Sequence, residues 1–144
     1  MKQVLKKVKI ILVDDNSVFR NALKTFIMKK EHLEVVAEAS NGKEFLELIK
    51  TRNPDVVLMD VRMPVMDGID TTKKALQYDA NLKIIGLSAF GDLEILVAMA
   101  EAGTYGFLPK ETVCDNLDLA IKNVLSGKHF FWTNHGNGKY QIIK

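Results

Sequence analysis

The sequence predicts an α/β fold built around a parallel β-sheet. Short apolar runs rich in β-branched residues alternate along the chain with longer segments whose apolar residues recur at helical spacing. This alternation is typical of strand–helix–strand units. The strand candidates are almost continuously apolar, as expected for strands that helices cover on both faces. With 144 residues, of which 47% are hydrophobic, the chain is long enough for one domain with an adequate core.

The first half of the chain contains three predicted strands and the helices that follow them. Residues 9–13 form the first strand, and apolar residues three and four apart then predict a helix over 17–30. Residues 33–39 form the second strand, after which Asn41-Gly42 turns the chain into a short helix that ends before Pro54. The third strand covers residues 55–59, and Asp67-Gly68 leads into a helix that ends near residue 79.

The second half of the chain repeats this pattern. Residues 82–87 form the fourth strand, and a helix over 92–102 is closed by Gly103. Residues 106–108 form a brief fifth strand. The last helix covers residues 112–125, and Gly127 ends it. Five strands and five helices by residue 127 make a complete three-layer domain.

The composition excludes several classes of protein. Cys114 is the only cysteine, so neither an intrachain disulfide nor a cysteine-rich zinc cluster can form. All 18 acidic residues lie between residues 14 and 121, whereas the lysines of both termini have no acidic residue near them. An acidic body argues against a broad nucleic-acid surface and favours a site that attracts cations.

No segment predicts export or a membrane span. The apolar run at residues 8–13 is too short for a signal peptide, is interrupted by Lys9, and stops at two aspartates. No stretch approaches the roughly 18 apolar residues that a membrane helix needs. The sequence therefore predicts a cytoplasmic location and no membrane partner.

Residues 128–144 form the predicted tail or linker. The aromatic residues 130–132 are expected to pack against the last helix, and the Asn- and Gly-rich residues 133–138 to form a turn or linker. The tail is too short for a helix-turn-helix domain. His32, His129 and His135 have no metal-ligand spacing, and we expect them to face solvent.

Polar residues follow four of the five predicted strands. The first strand is followed by Asp14 and Asp15, the third by Asp60, the fourth by Ser88 and the fifth by Lys110. In an open α/β sheet, ligands bind beyond the carboxyl ends of the strands, near the switch in strand order. Three carboxylates at this edge would repel one another unless a cation lay between them. With only oxygen ligands on offer, Mg²⁺ fits this cluster better than zinc.

This combination also suits chemistry at phosphorus. A carboxylate whose charge Mg²⁺ neutralises can attack phosphorus, while Lys110 and Ser88 bind the phosphoryl oxygens. Each residue alone has a simpler explanation: Asp14 or Asp15 could cap the helix at Ser17, Lys110 could lie on the surface, and Ser88 could form a turn. The arrival of complementary groups from four strands at one edge favours the phosphoryl site.

Four motifs give the chain a family resemblance. They are VDDN at residues 13–16, DVRMPVMDG at 60–68, SA at 88–89 and AGTYGFLPK at 102–110. In this order they resemble the receiver domain of two-component response regulators, over residues 8 to about 127. The stretches DNSVFR at 15–20 and LSGKHF at 125–130 are similar to the NarL/FixJ subfamily, whose receivers are usually followed by a DNA-binding helix-turn-helix domain.

The resemblance implies a flavodoxin-like, doubly wound sheet of five parallel strands in the order 2-1-3-4-5. It also implies a role for each matching residue. Asp60 would be the phosphoacceptor; Asp15, Asp60 and the main-chain carbonyl of Arg62 would bind Mg²⁺ directly and Asp14 through water; Ser88 and Lys110 would hold the phosphoryl group; and Phe107 would be the switch aromatic. One departure concerns the lysine, because Pro109 precedes it and Glu111 follows it, whereas many receivers have proline after the lysine.

The resemblance further implies the partners. A sensor histidine kinase or a phosphotransfer protein would donate the phosphoryl group, and phosphorylation could produce a homodimer. DNA would be contacted only through a helix-turn-helix domain, which residues 128–144 are too short to supply. The domain would then be a phosphoacceptor with self-limited autophosphorylation and autodephosphorylation, which acts through an effector domain or, alternatively, as a stand-alone receiver through protein contacts.

Two other functions are weighed against this one. Phosphatases of the haloacid dehalogenase type place a second aspartate two residues after the nucleophile, but Arg62 occupies that position here. A binding-only pseudo-receiver usually lacks an acid, the hydroxyl or the lysine, and all of these are present. The phosphorylatable receiver is therefore the favoured hypothesis.

Overall fold

The sheet that the sequence predicts is present in the computed structural model, which describes residues 6–89 and 93–132. Its six strands are all parallel and lie in the order β2-β1-β3-β4-β5-β6. The strands are β1 Val8–Val13, β2 Leu33–Ala39, β3 Val56–Asp60, β4 Ile84–Ser88, β5 Gly106–Pro109 and β6 Phe130–Phe131. The predicted order 2-1-3-4-5 is thus confirmed for the first five strands.

The helices follow the strands as the sequence pattern predicts. They are α1 Ser17–Met28, α2 Gly42–Leu48, α3 Gly68–Tyr78, α4 Leu93–Ala102 and α5 Val113–Leu125, and a short 3-10 helix covers Lys110–Thr112. Gly103, with φ of 109°, follows α4, and Gly127, with φ of 86°, follows α5. Both glycines take the left-handed conformation that commonly ends a helix, as predicted.

The helices cover both faces of the sheet, which gives three layers. Strand side chains on one face pack with α1 and α5, and those on the other pack with α2, α3 and α4. The first face carries Ile10, Leu12, Leu58, Ile85, Leu87, Leu108 and Phe130. The second carries Ile11, Val13, Val57, Met59, Ile84, Phe107 and Phe131. Because neighbouring residues of a strand face opposite layers, burial of both faces explains the unbroken apolar runs.

The sixth strand is a correction to the predicted sheet of five. Phe130 and Phe131 pair with Gly106 and Phe107 of β5. The Phe130 N–H donates to the Tyr105 carbonyl at 2.9 Å, and the Trp132 N–H donates to the Phe107 carbonyl at 2.8 Å. A strand of two residues is too short to show any periodicity, which is why the sequence pattern did not predict it. The expected packing of residues 130–132 on α5 is confirmed for Phe130 and Trp132, which pack in the layer with α5. It is wrong for Phe131, whose side chain faces the opposite layer because neighbouring strand residues point to opposite faces.

Some predicted features lie outside the described residues. They are residue 92, where the fourth predicted helix begins, His135, and the Asn- and Gly-rich residues 133–138. Of the other histidines, His32 is exposed as expected. His129 is half-buried instead, because its ring is stacked between those of Tyr105 and Phe131. No helix in the described ranges is long and apolar enough to cross a membrane.

Candidate functional site

The site lies where the direction of the chain through the sheet reverses. From β1 the chain passes to β2 on one side, and then crosses to β3 on the other side of β1. In open α/β sheets, ligands usually bind at the carboxyl ends of the two strands on either side of this reversal, which here are β1 and β3. Asp14 directly follows β1, and Asp60 is the last residue of β3.

Neighbouring strands bring the other two polar groups to the same edge. Ser88 is the last residue of β4, and Lys110 directly follows β5. The register pairs Asp60 with Leu87 and Ser88 with Pro109, so these strand ends lie side by side. Ser88 and Asp60 are buried, whereas Lys110 is partly exposed. The sequence prediction that these groups meet at one edge is therefore confirmed by their placement.

Asp14 is oriented by the loop between β1 and α1. Its Oδ1 accepts a hydrogen bond from the Asn16 N–H at 2.9 Å. The helix cap is Asn16, whose Oδ1 accepts from the Phe19 N–H at 3.0 Å. The alternative in which Asp14 or Asp15 caps α1 is therefore wrong. Because Asn16 satisfies the helix end, both carboxylates remain available at the strand end, Asp14 buried and Asp15 exposed.

Asp60 is held by close packing of the loop that follows it. Its Oδ1 accepts a long hydrogen bond, of 3.4 Å, from the main-chain N–H of Arg62. The Gly68 N–H donates to the Val61 carbonyl at 2.7 Å, which brings the start of α3 against the end of β3. A Cβ atom on Gly68 would lie only 2.3 Å from the Asp60 carbonyl oxygen. Glycine at this position is therefore a steric requirement of the site.

Lys110 forms the cationic partner of both buried carboxylates. Its Nζ lies 2.8 Å from Asp14 Oδ2 and 3.4 Å from Asp60 Oδ2. The unusual position of Pro109 does not prevent this geometry. Among the described residues, β6 pairs with Gly106 and Phe107 but not with Pro109, and proline is tolerated where a strand donates no ladder hydrogen bond.

The three aspartates form a cluster that fits a hard divalent cation. One carboxylate oxygen from each of Asp14, Asp15 and Asp60 lies within 4.8 Å of the others. The donor set consists of oxygens alone, and two of the three carboxylates are buried. Such a set suits Mg²⁺, which is bound through few carboxylates and keeps several waters.

The electrostatics of Asp60 show the cost of this cluster without a cation. Burial, followed by repulsion from Asp14, raises the pKa of the Asp60 carboxyl from 3.8 to about 7. Lys110 and the Arg62 N–H act in the opposite direction and do not compensate. Both causes disfavour the charged carboxylate, so a second positive charge in the cluster would restore it.

Phe107 is fully buried, three residues before Lys110. Its ring belongs to the layer that contains α4, and its main-chain carbonyl accepts the hydrogen bond from Trp132. The aromatic predicted as a switch is thus turned into the core and lies beside β6. Arg62, whose carbonyl the resemblance makes a metal ligand, has an exposed side chain. The switching role of Phe107 and the ligand role of the Arg62 carbonyl stay predictions.

The sequence analysis missed two residues of the first turn of α1. The Phe19 ring centroid lies 4.6 Å from Lys110 Nζ. Arg20 donates from Nη1 to the main-chain carbonyl of Asp14, and its Nε lies 3.1 Å from Glu38 Oε1. The sequence pattern places both residues in α1 and predicts no role for them in the site. Their closeness in sequence to Asp14 is the feature that could have identified them. A helix that begins three residues after the first aspartate must place its first turn against the site.

Comparisons with known proteins agree with this architecture. The transcriptional regulatory protein LnrK of Bacillus subtilis strain 168 is 37% identical over 120 residues, which cover 83% of this chain and 54% of the relative. The chemotaxis protein CheY of the same organism is 39% identical over 118 residues, which cover 82% of this chain and 98% of the relative. A LuxR-family two-component response regulator from Aurantimonas sp. SI85-9A1 superimposes with a TM-score of 0.83 at 28% identity, covering 90% of this chain and 91% of that one.

The share of each relative that this chain covers shows how much of the relative lies outside the matched domain. The chain spans little more than half the length of LnrK and of DegU from Brevibacillus brevis, both named as transcriptional regulatory proteins. The family model described as the response regulator receiver domain matches residues 10–122, which run from β1 into α5 and include every aspartate of the cluster. The chain therefore belongs to the family of response regulator receiver domains.

Proposed function

We propose that Asp60 accepts a phosphoryl group from a phosphohistidine of a sensor histidine kinase or a phosphotransfer protein, in a reaction that needs Mg²⁺. The phosphoacceptor signalling role is that of the receiver family to which the chain belongs. The observation that supports Asp60 is its position: a buried carboxylate at the switch point, with Asp14 and Asp15 within 4.8 Å and Lys110 Nζ at 3.4 Å.

The metal-binding residues we propose are Asp14, Asp15, Asp60 and the main-chain carbonyl of Arg62. Receiver domains bind Mg²⁺ at an acidic pocket, and the aspartate cluster is such a pocket. When bound, Mg²⁺ would neutralise the carboxylates and offset the negative charge of the phosphoryl oxygens. The pKa of Asp60 near 7 supports this assignment, because the ionised carboxylate that must act as nucleophile is disfavoured without a cation.

The chain's own residues then carry the transfer. A carboxylate oxygen of Asp60 forms the new bond to phosphorus, while the bond from phosphorus to the donor's imidazole nitrogen breaks and that nitrogen keeps the electron pair. Lys110 moves from the carboxylates to a phosphoryl oxygen, and the Ser88 hydroxyl donates to another. Hydrolysis by water later regenerates Asp60. The domain is a signalling module with self-limited autophosphorylation and autodephosphorylation, not a classical enzyme.

Phosphorylation would act on the surface around β5. We propose that Ser88 and Phe107 change position together and alter the face formed by α4, β5 and α5, on which a homodimer could form. Control of transcription through an effector domain is supported by the names of LnrK and DegU. The stand-alone alternative is supported by CheY, almost all of whose length matches this chain. The cytoplasmic location stays a prediction.

The site assignment is tested by intact mass after incubation with acetyl phosphate. We expect the protein to gain one phosphoryl group with Mg²⁺ and none with a chelator, and Asp60→Asn to gain none. Asp70→Asn is the control, since it removes an exposed carboxylate from α3, outside the cluster. Equal labelling of Asp60→Asn and the unaltered protein would overturn the assignment.

A further inference from the structure

We propose that Phe19 is a positioning residue for Lys110, whose ammonium group it holds over the buried carboxylates through a cation–π contact. The proposal rests on the phosphoryl site described above and adds a residue that lies on a different element from all of its members. Neither a metal ligand nor a phosphoryl ligand, Phe19 would act only through Lys110.

The position of Lys110 needs an explanation beyond its ion pairs. The residue begins a short 3-10 helix, and four flexible bonds separate its ammonium group from the backbone. Its Nζ is shared unequally between Asp14 at 2.8 Å and Asp60 at 3.4 Å. Both carboxylates are also the groups that a cation would take. Lys110 would then lose its two oxygen partners at the stage when it is needed.

The Phe19 ring is a partner that no ligand takes away. Its centroid lies 4.6 Å from Lys110 Nζ, within the range of a cation–π contact. The lysine side chain is only 15% exposed, so the contact is partly desolvated and correspondingly stronger. An aromatic face competes for neither the cation nor the phosphoryl oxygens. It can therefore hold the ammonium group before, during and after transfer.

The ring itself is fixed relative to the aspartates. The Phe19 N–H donates to the Asn16 side chain, and the Asn16 N–H donates to Asp14 Oδ1. The half-buried ring also packs on the core cluster between the sheet and α5. Two hydrogen bonds through Asn16 and a contact with the core thus hold Phe19 in place relative to Asp14, the carboxylate that lies nearest to Lys110 Nζ.

The same helix supplies a matched control. Phe26 lies seven residues further along α1, packs on the same core cluster, and has Lys30 Nζ 4.9 Å from its ring centroid. Lys30 binds Asp118 on α5 at 2.7 Å, and neither residue belongs to the aspartate cluster. Phe26→Leu therefore removes an equivalent ring, core contact and cation–π partner without touching the site.

The test compares Phe19→Leu, Phe19→Tyr and Phe26→Leu in the full chain. The rate of phosphorylation by acetyl phosphate at saturating Mg²⁺ is measured by intact mass. We expect Phe19→Leu to react about tenfold more slowly, the size of loss that one partly desolvated cation–π contact explains. Phe19→Tyr keeps the aromatic face and should retain the rate, as should Phe26→Leu.

A double-mutant cycle separates the action through Lys110 from simple packing. In a Lys110→Ala background, Phe19→Leu should cause no further loss of rate, because the partner of the ring is already gone. An equal loss in both backgrounds, or an unchanged rate in Phe19→Leu alone, would overturn the proposal.

A spectroscopic readout tests the contact independently of phosphorylation. In protein with isotope-labelled lysine, the ring current of Phe19 should shift the Lys110 ε-methylene protons upfield, and Phe19→Leu should abolish that shift. An unshifted Lys110 signal in the unaltered protein would refute the contact even if Phe19→Leu failed to fold. If the shift were present but the unaltered protein took up no phosphoryl group, the proposed function would fail and the contact would stand.

Discussion

At the scale of single residues, Asp60 shows how a functional position costs stability. Its carboxyl is buried beside Asp14, and together these effects raise its pKa to about 7. In the unfolded chain the carboxyl of Asp60 is neither buried nor close to Asp14, so its pKa has the ordinary value of 3.8. The sequence places an acid where the fold disfavours its charge, which is typical of sites built to receive a cation.

This raised pKa predicts how stability depends on pH without metal. A folded-state pKa above the unfolded one gives stability that is complete below about pH 4 and is lost as the pH rises through about 7, since the unfolded chain releases this proton first. We expect Asp60→Asn to be the more stable form at about pH 8, by a margin on the order of a few kcal/mol that narrows towards about pH 5. Urea unfolding in a chelator would measure both, and a margin independent of pH would contradict the assignment.

Gly68 is the second residue whose identity the site dictates. An alanine Cβ would lie 2.3 Å from the Asp60 carbonyl oxygen, which is main chain and cannot rotate away. We expect Gly68→Ala to lower the free energy of unfolding by about 1–3 kcal/mol and also to slow phosphorylation, because β3 and α3 must separate at Asp60.

The control for Gly68→Ala is Gly127→Ala, which is strained by its φ of 86°; apart from its chain neighbours, no atom of the described residues lies within 4 Å of the added Cβ. It should lose about 1 kcal/mol of stability and keep the phosphorylation rate. A Gly68→Ala protein that was phosphorylated as fast as Gly127→Ala would show that the close approach does not position Asp60. Thermal unfolding and intact mass give the two readouts.

At the level of secondary-structure elements, the two-residue strand β6 and the residues beside it make several packing contacts. Phe130 is fully buried in the layer with α1 and α5, and Phe131 is buried in the layer with α4. The rings of Tyr105, His129 and Phe131 are stacked, with centroids 4.8 and 5.6 Å apart. Lys83 Nζ lies 3.8 Å from the centroid of the Tyr105 ring. These contacts hold the segment after α5 on the edge of β5, beside Phe107.

We expect Phe130→Ala to loosen this strand. Removing a fully buried phenylalanine ring should lower the free energy of unfolding by about 3 kcal/mol. The main-chain N–H of Trp132, which donates to the Phe107 carbonyl at 2.8 Å, should exchange its hydrogen faster than in the unaltered protein. Leu119→Ala on α5, 43% exposed, is the control and should change little in either measurement. If the exchange rate of the Trp132 main-chain N–H did not change, the Phe130 ring would not be what holds β6 on β5.

At the scale of the whole molecule, the parallel sheet assembles the site from residues far apart in the sequence. Asp14, Asp60, Ser88 and Lys110 each follow or end a different strand, and the strand order brings those ends together. A cation bound among them would contact β1 and β3 at once and would link separate parts of the chain. Binding to the folded state alone must then stabilise the entire domain.

We therefore expect Mg²⁺ to raise the unfolding temperature. At a concentration about a hundredfold above its dissociation constant, the gain is about 2.7 kcal/mol. Asp15→Asn should lose most of this gain and still fold well, because Asp15 is exposed. Asp79→Asn, at the far end of α3, should keep the full gain. Thermal unfolding with and without Mg²⁺ measures the difference, and an equal gain in Asp15→Asn would remove that residue from the metal site.

The candidate site was predictable from the sequence as far as strand ends determine it. Parallel strands covered by helices must end at a common edge, so the polar residues after them could be placed together without coordinates. The roles of Phe19 and Arg20 could not, because they depend on how α1 is rotated and inclined on the sheet. The pattern of apolar residues defines which side of α1 is buried, but not which side chain reaches Lys110 across the layer.

Local sequence patterns are enough to predict the alternation of strands and helices, the helix ends at Gly103 and Gly127, and the acids at the ends of β1 and β3. These are local properties: periodicity, backbone freedom and the position of a residue after an apolar run. The three-dimensional fold was needed to show that Asn16, not an aspartate, caps α1, that Phe130 and Phe131 extend the sheet, and that Lys110 lies between two carboxylates and an aromatic ring. Those outcomes depend on contacts between distant segments, whose geometry is set by packing rather than by any pattern along the chain.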